Sequence, residues 1–323
     1  MAKIAVIGCG HWGKNLVRNF AELGALGAIS DPDGELASQF STQYNVAALD
    51  FEAILEGDCD GVVIAAPAPL HASLSQKAFA AGKHVYVEKP LAMTLDEADA
   101  MINAAAQANR QLMVGHLLQY HPVFARLRDM VKSGVFGDLQ YIYSNRLSLG
   151  KVRSEEDVVW SFAPHDISMI LSLAGRDAKT VNCEASDILQ SGISDTANIH
   201  ITFEDGLKGH VFCSWLHPYK EHKLVVIGDK AMAVFDDTMD WDQKLAIYDH
   251  AIVIDETPPV PQKSEVRYEK APQGEPLKAE CQYFLDLIDG LADPVTDGAE
   301  GRRVLQVLAA ASMSLETGET IYA

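Results

Sequence analysis

The tripeptide Glu88-Lys89-Pro90 is the first place where side chains could do chemistry, because it ends the short apolar run 84–87. Charged groups rarely follow a buried strand directly unless the chain emerges from a sheet into a cleft. In open α/β sheets, ligands bind in that cleft, outside the carboxyl ends of the strands. We therefore predict that Glu88 and Lys89 border a ligand site.

A second candidate is His165, which follows Pro164. Pro164 suits the first position of a helix that ends at Gly175, so His165 is predicted in the first helical turn. The positive end of the helix dipole disfavours an imidazolium there and leaves the ring able to accept a proton. Asp166 suits the same dipole. A lone histidine is more often structural, but Trp160 and a basic loop accompany this one, so we predict a chemical role.

The basic loop contains Arg146, Lys151 and Arg153. These residues could bind a diphosphate or a uronate, since arginine matches phosphate and carboxylate oxygens with two hydrogen bonds. The alternative is a solvated loop whose charges balance those of the acidic residues 155–157. The sequence leaves both interpretations open.

A glycine-rich segment, Gly8-Cys9-Gly10-His11-Trp12-Gly13, lies between an apolar strand and a helical pattern. In that context G-x-G-x-x-G permits a tight turn and close approach of the backbone to a pyrophosphate. The next strand ends at Asp31, an acid suited to adenosine ribose hydroxyls, and no arginine follows for a 2′-phosphate. We predict NAD rather than NADP as cofactor. The alternatives are a glycine turn without a ligand and an Asp31 that only caps a turn.

The loop after the strand 61–66 contains Ala66, Pro67 and His71. Because it follows its own strand, it should lie beside the nicotinamide-ribose end of the dinucleotide. His71 could equally be a residue at a helix N-terminus that makes no ligand contact.

Short apolar strands alternate with helical patterns over residues 1–120, which predicts a Rossmann-type, doubly wound parallel sheet. Beyond residue 120 most elements are strands. The sequence therefore predicts an α/β protein with a NAD-binding domain at 1–120. The second domain, at 121–323, is predicted to be α+β with a large, mostly antiparallel open sheet, and to serve substrate binding and oligomerisation.

Two hairpins support the antiparallel sheet. Residues 197–203 and 207–215 alternate in polarity around a glycine-containing turn, and residues 224–227 and 231–235 do the same. Helices can cover one face of such a sheet. The other face, if apolar, is a candidate subunit interface.

Composition excludes several classes of partner. The chain has 26 Lys and Arg against 45 Asp and Glu, a net charge of −19, which argues against nucleic acid and anionic membranes. Five scattered cysteines and the lack of an apolar run near 18 residues are typical of a soluble, cytoplasmic protein. No spacing favours a catalytic metal or a serine nucleophile, so we expect no metal.

These features resemble the Gfo/Idh/MocA oxidoreductase family over essentially the whole chain. The resemblance rests on the glycine-rich loop, Asp31, Glu88-Lys89-Pro90, the helix-borne His165 and the C-terminal stretch 276–305. It implies an N-terminal Rossmann domain, a C-terminal α/β domain whose sheet forms homodimer or homotetramer contacts, and a lysine near nicotinamide and the substrate hydroxyl. It also implies a cis proline after that lysine.

Within the family, the stretches that include His116, Tyr120 and residues 143–166 look like the subgroup that oxidises C3 of UDP-N-acetylglucosamine or related nucleotide sugars. A partner aminotransferase then makes the 3-amino sugar. The resemblance thus implies substrate contacts for His116, Tyr120, Arg146, Lys151, Arg153, Trp160, His165 and Asp166. One departure is clear: many members carry acids where this chain has Ser161 and Ser168. Asp166 or a backbone carbonyl would then orient His165.

The predicted reaction is hydride transfer from a sugar CH–OH to nicotinamide, which requires a base for the hydroxyl proton. We assign the proton to His165 and the hydroxyl oxygen to Lys89, and the opposite assignment stays open. Two alternatives are an inositol or simple-sugar dehydrogenase of the same fold and a non-catalytic NAD-binding regulator.

Overall fold

The computed structural model describes residues 2–253 and 258–323 and divides the chain into two compact units. The first unit comprises Met1–Tyr120 and Gly274–Leu305. The second comprises His121–Gln273 and Gln306–Ala323. The division after residue 120 coincides with the predicted one. The segment Gly274–Leu305 differs, because it packs with the first unit.

The strands, in chain order, are β1 (Ile4–Ile7), β2 (Leu26–Ser30), β3 (Ala47–Ala48), β4 (Gly61–Ile64), β5 (His84–Val87), β6 (Leu112–Val114), β7 (Leu139–Leu149), β8 (Thr180–Ser186), β9 (Thr196–Thr202), β10 (Lys208–Ser214), β11 (Leu216–Gly228), β12 (Met232–Asp236), β13 (Leu245–Tyr248), β14 (Ala251–Val253), β15 (Val260–Gln262), β16 (Val266–Tyr268) and β17 (Ile321–Tyr322). The α-helices are α1 (Gly13–Glu22), α2 (Gly34–Tyr44), α3 (Phe51–Glu56), α4 (His71–Ala80), α5 (Leu95–Ala108), α6 (Pro122–Lys132), α7 (Val158–Ala174), α8 (Pro276–Ile288) and α9 (Gly298–Thr317).

The sheet of the first unit has six parallel strands in the order β3-β2-β1-β4-β5-β6. Strands β1 and β4 are buried at every position, as expected for a parallel sheet covered by helices on both faces. This arrangement confirms the predicted Rossmann-type sheet, and it brings the loops after β1, β4 and β5 to one edge.

Helix α8 explains why the segment 274–305 belongs to the first unit. Its buried residues Leu277, Cys281, Phe284 and Leu285 recur at helical spacing and join the same hydrophobic core as β1 and α1. Beyond α8, the Val114 amide donates to the Thr296 carbonyl over 2.7 Å, next to the edge strand β6. The predicted domain 121–323 is therefore not one continuous packing unit.

The second unit contains a nine-stranded sheet in the order β16-β13-β12-β11-β7-β10-β9-β8-β17. All its pairings are antiparallel except β7 with β10. Both predicted hairpins form, as β9–β10 and β11–β12. The predicted fold class, a parallel sheet followed by a large, mostly antiparallel one, is thus confirmed.

Helix α7 covers part of this sheet. A Cβ added at Gly209 in β10 would lie 3.1 Å from Ile170 Cγ2, so α7 lies directly against the strand there. In the described ranges, no helix is long and apolar enough to cross a membrane.

Candidate active site

The glycine-rich loop joins β1 to α1, and two of its glycines are required by the fold. Gly8 has φ +95°, and a Cβ there would lie 2.7 Å from the Ala65 carbonyl oxygen. A Cβ at Gly13 would lie 1.9 Å from the Gly8 carbonyl oxygen. Gly10 is different, because it is exposed and a Cβ there would meet nothing within 4 Å. The backbone at Gly10 is therefore open to a ligand.

Helix α1 begins at this open loop. Its N-cap residue, Trp12, makes no side-chain capping bond, and its first turn contains no acidic residue. The neighbouring His11 is exposed. Amide groups at a helix N-terminus without a side-chain cap favour an anion such as a pyrophosphate. The loop thus fits the predicted dinucleotide.

Asp31 follows β2 and serves the local backbone. One carboxylate oxygen accepts the Cys9 amide proton over 2.6 Å, and the other accepts that of Asp33 over 2.9 Å. The turn-stabilising role that the sequence left open is therefore present. Asp31 also lines a cavity of about 490 Å³ with Ser38, Ser41 and other residues, and none of the described lining residues is Lys or Arg. A ribose hydroxyl could share the carboxylate with these amides, since each oxygen has two lone pairs.

We expect NAD to bind at least tenfold more tightly than NADP, a difference of about 1.4 kcal/mol or more. The reason is that the Asp31 charge opposes a 2′-phosphate and the cavity supplies no described cation to offset it. Calorimetric titration with both cofactors measures the ratio, and Asp31→Ala should narrow it. Equal affinities in the unmodified protein would contradict this prediction.

Glu88 links the glycine-rich loop to Lys89. Its carboxylate accepts the Trp12 indole N–H over 2.6 Å and the Lys89 amide N–H over 3.3 Å. Burial raises the pKa of Glu88, and the indole bond and the Lys89 charge oppose that rise. Lys89 is half-buried, and the Lys89–Pro90 peptide bond is cis, as the family resemblance implied. Glu88 therefore holds two loops of the predicted cofactor site together.

His71 begins α4, and its ring lies between two backbone carbonyls. Nδ1 is 2.8 Å from the Pro90 oxygen and Nε2 is 2.9 Å from the Ala66 oxygen, with the residue only 1% exposed. Burial lowers the pKa of His71, and both carbonyl bonds oppose that shift. His71 thus lies between the Ala66-Pro67 loop and Pro90, and its predicted place in the cofactor site stays a prediction. Pro67 itself is exposed.

His116 and Tyr120, predicted to contact substrate, are bonded to the returning segment 274–305. His116 Nδ1 lies 2.6 Å from Glu300 Oε2, and both side chains are buried. The Tyr120 hydroxyl lies 2.7 Å from that of Thr296, and burial raises the pKa of Tyr120 well above its usual value. These contacts give both residues a structural role, and their substrate contacts stay a prediction.

In the second unit, the predicted position of His165 is wrong. Helix α7 starts at Val158, because the Asp157 carboxylate caps it by accepting the Trp160 amide proton over 3.0 Å. Pro164 therefore lies inside the helix, and His165 lies in its middle. The helix-dipole argument for a neutral imidazole fails, since that field acts over the first turn.

Asp166 and Arg146 form a buried ion pair. The Asp166 carboxylate, 1% exposed, accepts from Arg146 Nε, from the Ser144 hydroxyl and, over 3.3 Å, from Arg146 Nη2. Adjacent helical residues do not face each other, and this carboxylate is already engaged. The Asp166 carboxylate thus serves Arg146 and Ser144, and its role in orienting His165 stays a prediction. Arg146 is therefore removed from the predicted set of free cations.

The other two predicted cations follow β7. Lys151 is exposed, whereas Arg153 lies 3.3 Å from Glu156 in a half-exposed ion pair. This pair corresponds in part to the charge-balanced loop that the sequence allowed. Trp160, also predicted to contact substrate, donates its indole N–H to the Ser312 hydroxyl over 3.0 Å. Of the three basic residues, Arg146 is therefore held in a buried ion pair, whereas Lys151 and Arg153 are accessible.

Two family models match the chain. Residues 2–116 match the Gfo/Idh/MocA model described as an oxidoreductase family with an NAD-binding Rossmann fold, and residues 124–234 match the Gfo/Idh/MocA C-terminal domain. The chain belongs to the Gfo/Idh/MocA oxidoreductase family. It is accordingly an oxidoreductase, and its glycine-rich loop lies in a Rossmann domain that uses a nicotinamide dinucleotide.

Members of the Gfo/Idh/MocA family resemble this chain over nearly its full length. UDP-N-acetylglucosamine 3-dehydrogenase from Acidithiobacillus ferrooxidans is 27% identical over 305 residues, 94% of both chains. A solved structure of that dehydrogenase matches with a TM-score of 0.86 and 24% identity over 98% of both chains. D-apiose dehydrogenase from Paraburkholderia graminis is 25% identical, covering 99% of this chain and 89% of the relative.

Two serines lie on α7 at the positions where this chain departs from the usual Gfo/Idh/MocA pattern. Ser161 and Ser168 are buried and lie four residues before and three residues after His165 on α7. Residues at these spacings are the neighbours of His165 on one helix face. Hydroxyls therefore replace carboxylates beside this histidine. In the described part of the chain, no group of three or more His, Cys, Asp or Glu could hold a metal ion.

Proposed function

We propose that this protein is an NAD-dependent dehydrogenase that oxidises a sugar CH–OH, with C3 of a UDP-N-acetylhexosamine or a related nucleotide sugar as the preferred position. The observation that carries the proposal is the similarity to UDP-N-acetylglucosamine 3-dehydrogenase over 94% of both chains. The D-apiose dehydrogenase similarity, over 99% of this chain, supports a simple-sugar or inositol dehydrogenase as the second candidate.

The first unit would hold the cofactor. The loop from Gly8 to Gly13 would bind the pyrophosphate, Asp31 the adenosine ribose, and the loops at Ala66 and Lys89 the nicotinamide end. NAD, when bound, supplies an acceptor for the hydride. Glu88 and His71 fix these loops through the Trp12 indole and the Pro90 and Ala66 carbonyls.

Oxidation of a CH–OH group also requires that the hydroxyl proton leave. We assign the proton to the His165 imidazole and the hydroxyl oxygen to the Lys89 ammonium, which would stabilise developing alkoxide charge. A neutral Lys89 acting as base, with His165 as hydrogen-bond donor, is the opposite assignment. In both, the hydroxyl oxygen loses its proton to the protein while its carbon loses hydride.

A nucleotide sugar also brings a diphosphate. A chain of net charge −19 repels such a dianion at long range and needs local cations to hold it. Lys151 and Arg153 are the two accessible basic residues of the loop, and the Arg153–Glu156 pair is exposed enough to exchange partners. We therefore propose that these two residues bind the phosphates.

We expect Arg153→Ala to raise the KM for a UDP-sugar roughly tenfold, because a charge-assisted hydrogen bond contributes about 1.5–3 kcal/mol. Lys151→Ala should act in the same direction. Steady-state reduction of NAD, measured with a panel of nucleotide sugars, inositols and free hexoses, tests this. Lys132→Ala, at an exposed lysine of the same unit, is the matched control. If the double variant Lys151→Ala/Arg153→Ala keeps the original KM, the simple-sugar candidate takes first place.

We further propose that the second unit forms homodimer or homotetramer contacts through the face of its sheet opposite α7. Cross-strand neighbours Tyr143, His210 and Val225 share that face, and the Tyr143 and His210 rings stack with centroids 5.2 Å apart. An aminotransferase acting on the keto-sugar is the proposed partner in the pathway. Light scattering measures the oligomeric state, and Tyr143→Glu, at a half-buried position of that face, should dissociate the assembly.

A further inference from the structure

Glu280, in helix α8, is a buried acid to which the proposed reaction gives no role. It is 1% exposed, and in the described structure neither carboxyl oxygen makes a hydrogen bond of ordinary length and angle. Burying an ionised carboxylate without donors is so costly that such a group takes up a proton instead. The geometry alone therefore indicates that Glu280 is a neutral carboxylic acid.

The surroundings of Glu280 supply negative or neutral groups. The titratable groups that face it are Tyr86 in β5, Glu88 directly after β5, Tyr120 from the 3₁₀-helix Leu117–Tyr120, and Cys281 on α8. Burial first, and then the Glu88 charge, raise the pKa of Glu280 well above its usual value, and only the contact with the Tyr86 hydroxyl opposes that rise. No cation among these groups would favour an anionic Glu280.

Glu88 has the opposite environment, although it too is buried. It accepts the Trp12 indole N–H over 2.6 Å and the Lys89 amide over 3.3 Å, and the Tyr86 hydroxyl lies 3.4 Å from its Oε1. Donors stabilise a carboxylate. The Tyr86 hydroxyl is also close enough to Glu280 to affect the pKa of both groups. Of the two acids, Glu88 is thus the one equipped to be the anion.

We propose that Glu280 is a positioning residue, a protonated acid that donates to the Tyr86 hydroxyl, which in turn donates to the Glu88 carboxylate. These two successive hydrogen bonds keep Glu88 anionic and oriented toward the Trp12 indole and the Lys89 amide. Polar chains of this kind rigidify a site only when every member is satisfied. The effect on NAD binding rests on the proposed function, whereas the protonation state of Glu280 does not.

The protonation state can be measured without substrate. Infrared spectroscopy of the full-length protein near neutral pH should show the carbonyl stretch of a protonated carboxylic acid, and Glu280→Gln should remove it. Glu52→Gln, at an exposed glutamate of the same unit, is the control and should leave the band in place. A wild-type spectrum without the band, or a band that persists in Glu280→Gln, would overturn the proposal.

Stability gives a second readout. An acid whose folded-state pKa is raised stabilises the fold below its unfolded pKa, about 4.5, and that stability is lost as pH rises through the folded pKa. The free energy of unfolding of the wild type, measured in urea, should therefore fall with rising pH more than that of Glu280→Gln. Identical pH profiles for the two proteins would show that Glu280 does not titrate, and would overturn the proposal.

The positioning role is tested by comparing two substitutions at one site. Glu280→Gln keeps a donor for the Tyr86 hydroxyl and should leave NAD affinity within about twofold of wild type. Glu280→Leu removes the donor, and we expect it to weaken NAD binding roughly tenfold, the equivalent of one lost hydrogen bond. Tyr86→Phe should match Glu280→Leu. Equal NAD affinity for the Gln and Leu variants would refute positioning even if the infrared band is present.

Discussion

Replacement of Lys89 by Met, or of His165 by Ala, is expected to lower kcat by roughly a hundredfold or more, the lower end of what general acid–base groups contribute. Methionine keeps the length and apolar stem of the half-buried Lys89 and removes only its charge and donors. Because the Asp31 and glycine-loop contacts are untouched, NAD should still bind. Steady-state kinetics with calorimetric titration of NAD separates the two effects.

Matched controls exist in each unit. Lys77→Met removes a lysine whose ion pair with Glu52 is exposed, and His217→Ala removes a histidine that is half-buried, as His165 is. Both should turn over at the wild-type rate. If Lys89→Met and His165→Ala do so as well, neither side chain handles the proton or the hydroxyl oxygen.

Arg146→Ala is expected to lower the free energy of unfolding by about 3–5 kcal/mol, the scale for breaking a buried ion pair by removing one partner. The Arg146 side chain is 11% exposed and that of Asp166 is 1% exposed, so water cannot replace the guanidinium. Asp166 would be left as a buried charge, with the Ser144 hydroxyl as its remaining donor among the described contacts. Urea denaturation monitored by circular dichroism measures the loss.

The double variant Arg146→Met/Asp166→Leu distinguishes the cost of an unpaired buried charge from the net contribution of the ion pair. Replacing both partners by apolar residues of similar size should recover most of the lost stability, because no unpaired charge remains. Lys179→Ala, which breaks an exposed ion pair with Glu204 in the same unit, should change stability little. An Arg146→Ala protein as stable as Lys179→Ala would contradict the buried-pair interpretation.

The predictable parts of this structure are those whose signals are local in sequence. Polarity of period two around a glycine turn is sufficient for the β9–β10 hairpin, and G-x-G-x-x-G between a strand and a helix is sufficient for the nucleotide loop. A local signal also explains why the sequence predicts the wrong start for α7. Pro164 is a strong signal for a first helical turn, and Asp157, the actual cap, is one of several adjacent acids.

The remaining parts depend on partners distant in the chain. The sequence around His116 does not predict its contact with Glu300, and the sequence around Glu88 does not predict that Glu280 lies near it. Arg146 looked like a free cation because its charge is visible in the sequence whereas its pairing with Asp166 depends on how α7 packs on β7. Amphipathic spacing shows that α8 must bury one face, but not which unit buries it.

The return of residues 274–305 to the first unit has a consequence for synthesis and for protein engineering. During translation the nucleotide-binding core stays incomplete until α8 leaves the ribosome, so the emerging chain must carry an unfinished domain through about 150 intervening residues. A chimera that exchanges the second unit should therefore graft residues 121–273 and 306–323 and keep 274–305 with their host. A polypeptide that stops after residue 120 would expose the surface that α8 covers, and we expect it to aggregate.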